Sequence, residues 1–286
     1  TPSVSSAASD VYKRQLLGPT INLHRHPLGG RHFENYSEDP FLVGKLATAY
    51  VKGVQSKNVS ACLKHFIAND TEFERHTVSS NVDERTLREI YLLPFEMGVK
   101  EGKSKSVMSA YNKLNNIYCS SHKELLIDIL KNEWGFDGYV VSDWGAALET
   151  IDNANGGLDL EMPGPGNTWG QKLLSAISEG LVKEEIIDDK VKRILKVGEF
   201  SGRFDAPKNK PEESNIRESH NQLLRDVACE GMVLLKNENV LPMDENKINK
   251  LAIIGPNAKN SQIIGGGSAS LKPHYQIHPY DALEKR

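Results

Sequence analysis

The sequence predicts an α/β fold, in which a parallel sheet of the (β/α) barrel or doubly wound type precedes a second α/β domain. Three features of the chain support this class. Short apolar runs alternate with longer segments of helical periodicity, which is the order of repeated strand–helix units. The apolar runs are continuous, as expected for parallel strands that are covered on both faces. Glycine follows three predicted helices, at Gly102, Gly135 and Gly180, where a C-terminal cap is expected.

The predicted elements of the first domain, 16–205, follow one another in a regular order. Strands are predicted at 16–23, 60–66, 106–111, 139–142 and 158–162, and helices at 40–55, 87–101, 122–134, 169–179 and 183–197. Residues 1–15 are rich in serine and alanine without apolar periodicity. We expect them to be a non-native segment that derives from adaptor or vector sequence, with a disordered native N-terminus as the alternative.

A change in composition predicts the domain boundary. The stretch 198–211 is rich in glycine, proline and charged residues, so we interpret 206–249 as a linker and connecting helix, with the helix at 219–236. A buried strand is predicted at 250–255, and 250–286 is interpreted as the start of a second, truncated domain.

Composition excludes several classes of protein. The 286 residues carry 35 Lys+Arg and 38 Asp+Glu, and no basic run indicates a nucleic-acid partner. No apolar run approaches the roughly 20 residues that cross a bilayer, so no membrane partner is expected. Cys62, Cys119 and Cys229 are too few for a disulfide framework and favour a reducing, cytoplasmic compartment. Localisation is otherwise not predicted.

Polar residues follow the predicted strands, where parallel α/β proteins carry their chemistry. They are Asn22, His24, Arg25 and Arg31; Lys64 and His65, with Asp70, Glu72, Arg75 and His76 beyond; Ser109, Tyr111 and Asn112; Asp143 and Trp144; and Asp159 and Glu161. An Asp beside a Trp at a strand end offers a carboxylate nucleophile under an aromatic platform, which suits sugar chemistry. Taken alone, such an Asp is more often a helix N-cap.

Other chemistries remain open on these residues. Lys64 qualifies as the Schiff-base lysine of an aldolase-like barrel. His65, Asp70 and His76 could ligate a metal, but they lack the spacing of known metal motifs. The glycine-rich run at 265–268 lacks the spacing of a phosphate-binding loop, and no GxSxG motif supports a nucleophilic serine.

Several segments resemble glycoside hydrolase family 3, and most closely its β-glucosidases. These segments are LLGPTINLHRHPLGGRHFENYSEDP at 16–40, CLKHFIANDTEFERHTVSSNVDERTLREIYLLPFE at 62–96, SVMSAYNKLN at 106–115, GFDGYVVSDWGA at 135–146, GLDLEMPGP at 157–165 and GMVLLKNENVLP at 231–242. The resemblance continues through IIGPNA and GGGSAS. The loop KHFIAND at 64–70 differs from the KH(F/I)PGHG loop of the family's N-acetylglucosaminidases.

The resemblance implies a fold, an activity and a set of residues. The fold is an incomplete TIM-like (β/α) barrel followed by the start of an α/β sandwich domain. The activity is that of a retaining, exo-acting β-glucosidase with Asp143 as the nucleophile, acting on a β-glucoside or oligosaccharide without metal or organic cofactor. Residues that match the glucose subsite are Arg31, Lys64, His65, Met108, Tyr111 and Trp144. A β-xylosidase or another family 3 β-glycosidase is the alternative, and a non-catalytic sugar-binding relative is the alternative of another class.

The sequence also departs from the family pattern. The segment that precedes LLGP in the family, with an Asp that binds glucose, has no match here. The family's acid/base glutamate lies in the second domain beyond the matched region, so no acid/base residue is expected in this chain, and neither Glu230 nor Glu238 substitutes for it. We therefore expect a fragment with negligible activity alone. The stretch 265–275 resembles members that carry a PA14-type module downstream. Oligomeric state and exact sugar are not predicted.

Overall fold

The computed structural model describes residues 14–205, 216–263 and 273–286, which form two compact units. One unit comprises residues 14–205, and the other comprises the remaining described residues. Three sequence-based expectations lie wholly or mostly outside the described residues: those for 1–15, of which 1–13 are not described, for the linker residues 206–215, and for the glycine-rich run within 264–272. Gln15 is described and pairs with Ser60 in a parallel ladder, so the expectation of a disordered segment was wrong for this residue.

A four-stranded parallel sheet forms the centre of the first unit. Its strands are β1 (Gln15–Leu16), β2 (Ser60–Phe66), β4 (Ser106–Ser109) and β7 (Tyr139–Ser142), in the order β1-β2-β4-β7. β4 and β7 pair in continuous register, from Ser106 opposite Tyr139 to Ser109 opposite Ser142. The register between β2 and β4 shifts between Leu63 and Phe66. Among the described strands the sheet is open, with β1 and β7 at its edges.

Helices lie between these parallel strands, as crossover connections require, and three further helices of this unit follow β7. They are α1 (Pro40–Gln55), α2 (Glu84–Thr86) continuing through a π-helical stretch (Leu87–Leu92) into α3 (Leu93–Lys100), a second π-helical stretch (Glu124–Glu133), α4 (Thr150–Gly156), α5 (Gln171–Ser178) and α6 (Glu184–Phe200). α1 begins where the Asp39 carboxylate accepts the N–H groups of Phe41 and Leu42, with Pro40 at the first helical position. α1 packs against α3.

Apolar side chains from the sheet and its helices form one main core. Leu63 and Phe66 on β2, Val107 on β4 and Val140 on β7 are fully buried within it. The rings of Phe66 and Phe95 meet edge to face with their centroids 4.9 Å apart. β4 and β7 are buried along their whole length, and β2 is buried everywhere except at the half-buried Lys64, so the core holds the carboxyl ends of all three strands in place.

A small second sheet lies beyond β2 and β4. It contains β3 (Ser79–Ser80), β5 (Lys113–Leu114) and β6 (Ile117–Tyr118), in the order β3-β5-β6. β5 and β6 are antiparallel and joined by a tight turn. Asn115 and Asn116 occupy this turn with positive φ angles of 49° and 72°.

Three strands of the first unit are shorter than the sequence predicts. The run predicted at 106–111 forms β4 only as far as Ser109. The ladder of the run predicted at 16–23 ends at Leu16, and only a single bridge joins Thr20 to Lys64 further along. Pro19 lies within this run and has no N–H to donate. The strand predicted at 158–162 is reduced to one bridge between Leu160 and Val141.

The second unit contains α7 (Glu218–Glu230) and α8 (Pro279–Glu284), with short 3₁₀ turns between them. α7 ends before the boundary predicted at 236. The prediction of a strand at 250–255 was wrong, because these residues form no ladder with any other described residue. A strand needs a neighbour to satisfy its backbone groups, and an apolar run alone does not supply one.

Candidate active site

The carboxyl ends of β2, β4 and β7 bring together the residues that the sequence predicts for the site. Lys64 and His65 lie at the end of β2, Tyr111 follows β4, and Asp143 and Trp144 follow β7. The Asp143 N–H donates to the Ser109 carbonyl at 3.2 Å, which fixes the start of the Asp143 loop against the end of β4.

Asp143 carries a buried carboxylate with one oxygen left open. Oδ1 accepts the Trp144 N–H at 2.8 Å, whereas Oδ2 has no hydrogen-bond partner among the described residues. Burial raises the pKa of the Asp143 carboxyl, although the Trp144 N–H and the cations Arg31, Lys64 and Arg75 partly offset this effect. The side chain thus has the local form of a nucleophile, with one oxygen fixed and one free.

His65 faces Asp143, with Nε2 3.5 Å from Oδ2. The amide of Asn22 accepts the His65 N–H and donates to the His65 carbonyl, both at 2.9 Å, so its oxygen also faces the ring's Nδ1 at 3.2 Å. Because that oxygen can only accept, the contact favours the tautomer that carries its proton on Nδ1 and leaves a lone pair on Nε2.

His65 is neutral in this arrangement. Burial lowers the pKa of its imidazole well below the ordinary range, and the nearby charges of Arg31, Lys64 and Arg75 lower it further. The contact between His65 and Asp143 is consequently not an ion pair, and Nε2 is free to accept a hydrogen bond from a bound hydroxyl group.

Glu34 pairs with Arg31, and its charge also acts on Lys64. Arg31 Nε donates to Glu34 Oε1 at 2.6 Å, and Thr20 donates to Oε2 at 2.8 Å. Burial lowers the pKa of Lys64, while Glu34 and Asp143 act in the opposite direction. Burial also opposes ionisation of Glu34, but its bonds to Arg31 and Thr20 lower its pKa overall. Glu34 remains ionised and holds Arg31 beside the site.

Tyr111 links the loops that follow β4 and β7. Its hydroxyl donates to the Trp144 carbonyl at 2.8 Å. Arg75 lies over the ring with Cζ 4.5 Å from the centroid, and the imidazole of His76 contacts the ring edge to face at 4.5 Å. Burial and the neighbouring Asp143 raise the pKa of the phenol, so Tyr111 remains protonated and can donate.

Met108 contributes an apolar floor. It is 2% exposed and belongs to a cluster with Leu17, Tyr139 and Val141, against which Trp144 and Met162 pack. The ring of Trp144 therefore rests on apolar side chains of the sheet. Trp144 remains partly exposed, which leaves part of its surface for a ligand.

Three residues complete the site although the sequence did not assign them to it. Arg75 acts electrostatically on Asp143 and His65, Glu34 holds Arg31, and Glu72 pairs with both Arg31 and Arg75. The sequence places Arg75 and Glu72 among the polar residues beyond β2, but no sequence feature indicates that this loop folds back to the site.

Two acidic residues that the sequence places on the same rim have structural roles instead. The side chain of Asp159 is fully buried and accepts Lys131 Nζ and the Val140 N–H, both at 2.7 Å. Glu161 accepts the N–H groups of Asn167, Thr168 and Trp169 within its own loop. These bonds occupy both carboxylates with their own neighbours, and none of them is to Asp143.

The remaining alternatives receive no structural support. Within the described residues, no three His, Cys, Asp or Glu side chains are grouped as metal ligands, so His65, Asp70 and His76 do not form such a set.

In the same parts of the chain, no helix is both long and apolar enough to span a bilayer.

Comparison with known proteins decides the family. The glycosyl hydrolase family 3 N terminal domain matches residues 4–197, and the C-terminal domain of the same family matches residues 232–286. The chain belongs to glycosyl hydrolase family 3. The resemblance predicted from the sequence motifs is thereby confirmed.

Similar family 3 proteins are β-glucosidases. The chain is 49% identical over 268 residues to a β-glucosidase of Rhizobium radiobacter, covering 94% of this chain and 33% of that protein. It matches β-glucosidase 3B from Thermotoga neapolitana in complex with α-D-glucose (TM-score 0.88, 40% identity) over 99% of this chain and 41% of that one. The β-glucosidase from Kluyveromyces marxianus in complex with glucose matches with a TM-score of 0.90 and 40% identity, over 99% of this chain and 34% of that one.

These structures confirm the predicted α/β class of this family 3 chain. The chain spans about a third of the length of the curated relatives that it matches. What those longer relatives do is therefore carried to this chain only as a proposal.

Proposed function

We propose that this chain carries the glycone site of a retaining, exo-acting β-glucosidase, with Asp143 as the nucleophile. The observation that carries the proposal is the open Oδ2 of the buried Asp143 carboxylate, among Arg31, Lys64 and Arg75. The glucose complexes of the Thermotoga and Kluyveromyces enzymes support a glucose ligand.

The other residues of the site would bind the glucose unit. Lys64 and Arg31 donate hydrogen bonds to its hydroxyl groups, and His65 Nε2 accepts one. Met108 and Trp144 form an apolar surface for a face of the sugar ring, and Tyr111 holds the Trp144 backbone. Hydrogen bonds to the hydroxyls strengthen as the ring flattens toward an oxocarbenium ion, so they favour the transition state over the bound substrate.

The proposed reaction step is a displacement at the anomeric carbon. Asp143 Oδ2 attacks C1 and forms an ester bond, while the bond from C1 to the leaving oxygen breaks and its electron pair remains on that oxygen. The product is an α-glucosyl ester of Asp143, and water later attacks its C1 from the opposite face to release β-glucose. A second carboxyl group protonates the leaving oxygen in retaining enzymes, and we assign no residue of this chain to that role.

An activated fluoroglucoside tests the proposal. In dinitrophenyl 2-deoxy-2-fluoro-β-glucoside, the dinitrophenyl group departs as a stable phenolate without protonation, and the fluorine on the sugar slows hydrolysis of the ester. We expect the wild-type chain to release about one equivalent of dinitrophenolate in a burst. Asp143→Asn should abolish the burst. Asp70→Asn, which alters another buried carboxyl beyond β2, should retain it.

Related probes separate the alternative functions. A faster burst with the corresponding fluoroxyloside would make the chain a β-xylosidase. Glucose binding that is unchanged by Asp143→Asn, without any burst, would indicate a non-catalytic sugar-binding protein. Borohydride trapping of a carbonyl substrate on Lys64 would indicate the aldolase-like chemistry.

A further inference from the structure

Glu72 lies between two guanidinium groups. One carboxylate oxygen, Oε2, forms an ion pair and hydrogen bond with Arg75 Nη1, and the other, Oε1, lies 3.9 Å from Arg31 Nη1. Oε1 is buried and has no hydrogen-bond partner among the described residues. The Glu72 carboxylate thus lies between two arginines from different loops, one after β1 and one after β2.

The backbone also joins these two loops at Glu72. The Glu72 N–H donates to the Gly29 carbonyl at 3.0 Å. Gly30 has a φ of +94°, and a Cβ built there would lie only 2.9 Å from Glu72 Cγ. A residue with a side chain at position 30 would therefore be strained and would push against Glu72. The close approach of the loops depends on glycine at this position.

Both arginines act on the candidate nucleophile. Each lowers the pKa of Asp143 through its charge, and Arg75 also covers the ring of Tyr111. Two guanidinium groups near one site repel each other unless an anion lies between them. Glu34 neutralises Arg31 from one side, but among the described contacts Glu72 is the carboxylate that pairs with both arginines.

We propose that Glu72 is a positioning residue, which holds Arg31 and Arg75 in the arrangement that glycosyl transfer to Asp143 requires. This inference rests on the proposed function. Glu72 does not itself contact the sugar in this account, because both of its oxygens face arginine side chains. Its removal would loosen one arginine or both and would misplace the groups that bind the glucose unit.

The labelling rate of the full chain by the fluoroglucoside is the first test. Glu72→Gln keeps the size of the side chain but removes its charge, so we expect the second-order labelling constant to fall about tenfold or more. We expect the loss mainly as a higher half-saturating concentration. Glu133 is an exposed carboxylate that pairs with Arg88, as Glu72 pairs with Arg75. Glu133→Gln is therefore the control and should leave the labelling constant unchanged. Equal labelling by Glu72→Gln and wild type would overturn the proposal.

The titration of Asp143 in the unliganded chain is the second test, followed by carbon NMR of labelled aspartate. The groups that act on Asp143 are Arg31, Lys64, Arg75, His65 and Tyr111. If Glu72 only adds a negative charge, its replacement by Gln lowers the pKa of Asp143. If Glu72 holds the arginines in place, its replacement raises that pKa, because the cations move away. A fall would overturn the proposal.

Glu72→Asp covers the case in which Glu72→Gln fails to fold. It keeps the charge but withdraws the carboxylate by one methylene, so we expect slower labelling and a raised Asp143 pKa despite the unchanged net charge. Wild-type values for both would refute the positioning role. If the wild-type chain is not labelled at all, the proposed function fails, and the titration of Asp143 still decides the role of Glu72.

Discussion

Asp70 shows how burial affects a carboxyl group that is not the candidate nucleophile. Its Oδ1 accepts the Leu23 N–H at 3.1 Å, and this bond ties the loop after β2 to the chain that leads to Arg31. Burial nevertheless dominates and raises the pKa of Asp70 to about 6. The folded protein therefore binds a proton at Asp70 more tightly than the unfolded chain does.

The raised pKa predicts a pH dependence of stability. Because the pKa of Asp70 is higher in the folded state, its contribution is fully present below pH 4 and is lost as the pH rises through about 6. Between pH 4 and 7 we expect the wild type to lose about 2 kcal/mol of unfolding free energy relative to Asp70→Asn. Urea denaturation of both chains across this range measures the difference. A constant difference, or one of opposite sign, would contradict the assigned pKa.

Looking for polar residues at the ends of predicted strands finds the candidate nucleophile, but it does not find the residues that hold the site in place. Asp143, Lys64 and His65 lie where buried strands stop, and continuous apolar runs mark those points in the sequence. Glu72 and Arg75 lie further along the loop, and their return to the site depends on the left-handed turn at Gly30. No local sequence pattern indicates that Glu72 is the carboxylate that packs against Gly30.

At the scale of elements, β7 is anchored by a buried cluster of charges. Asp159 accepts Lys131 Nζ and the Val140 N–H, and Lys190 Nζ lies 4.0 Å away. Burial lowers the pKa of Lys190 to about 8, although Asp159 opposes this effect. The cluster fixes β7, and hence Asp143 at its end, against α6.

Asp159→Asn should destabilise the first unit strongly. The amide removes the carboxylate nearest to the buried Lys131 and Lys190 and leaves them only the more distant charge of Asp189, and breaking such a buried pair typically costs about 3–5 kcal/mol. Urea denaturation at neutral pH measures this loss. Asp137→Asn is the matched control, because Asp137 is largely exposed and its ion pair with Lys105 spans 3.9 Å, so we expect a loss of less than about 1 kcal/mol. Equal losses in the two variants would contradict the anchoring role.

The cluster also explains why one predicted strand is nearly absent. Apolar periodicity predicts strands 60–66 and 139–142 and helix 40–55 with the bounds that the structure has, because burial decides the two strands and Asp39 and Pro40 mark the start of the helix. At 158–162, the Asp159 carboxylate takes the Val140 N–H, which a ladder would otherwise use. At 250–255 the apolar run is present, but a strand also needs a neighbouring strand to pair with. That neighbour is distant in sequence, so a local pattern cannot indicate it.

At the scale of the whole molecule, the described chain differs between its two units. The first unit has a closely packed core, whereas α7 and the residues after it expose large apolar side chains, among them Leu235 at 92% and Ile254 at 94%. The site proposed here lies entirely in residues 14–205, so its first chemical step can be examined on the chain as it stands.

The leaving group should decide whether the chain reacts. We assign one of the two carboxyl groups of a retaining glycosidase, so the chain should react only where the leaving oxygen needs no proton. We expect dinitrophenyl β-glucosides to form the glucosyl ester, and alkyl β-glucosides to give negligible turnover. Product assays on both series at equal concentration measure this contrast. Comparable rates for the two, abolished by Asp143→Ala, would show that a further acid acts within the chain.

The site of labelling tests whether Asp143 is the nucleophile. After reaction with the fluoroglucoside, the chain is digested and the modified peptide is sequenced by tandem mass spectrometry. We expect one 2-fluoroglucosyl group, in ester linkage to Asp143. A label on any other side chain, or a folded chain that remains unlabelled, would show that Asp143 is not the nucleophile.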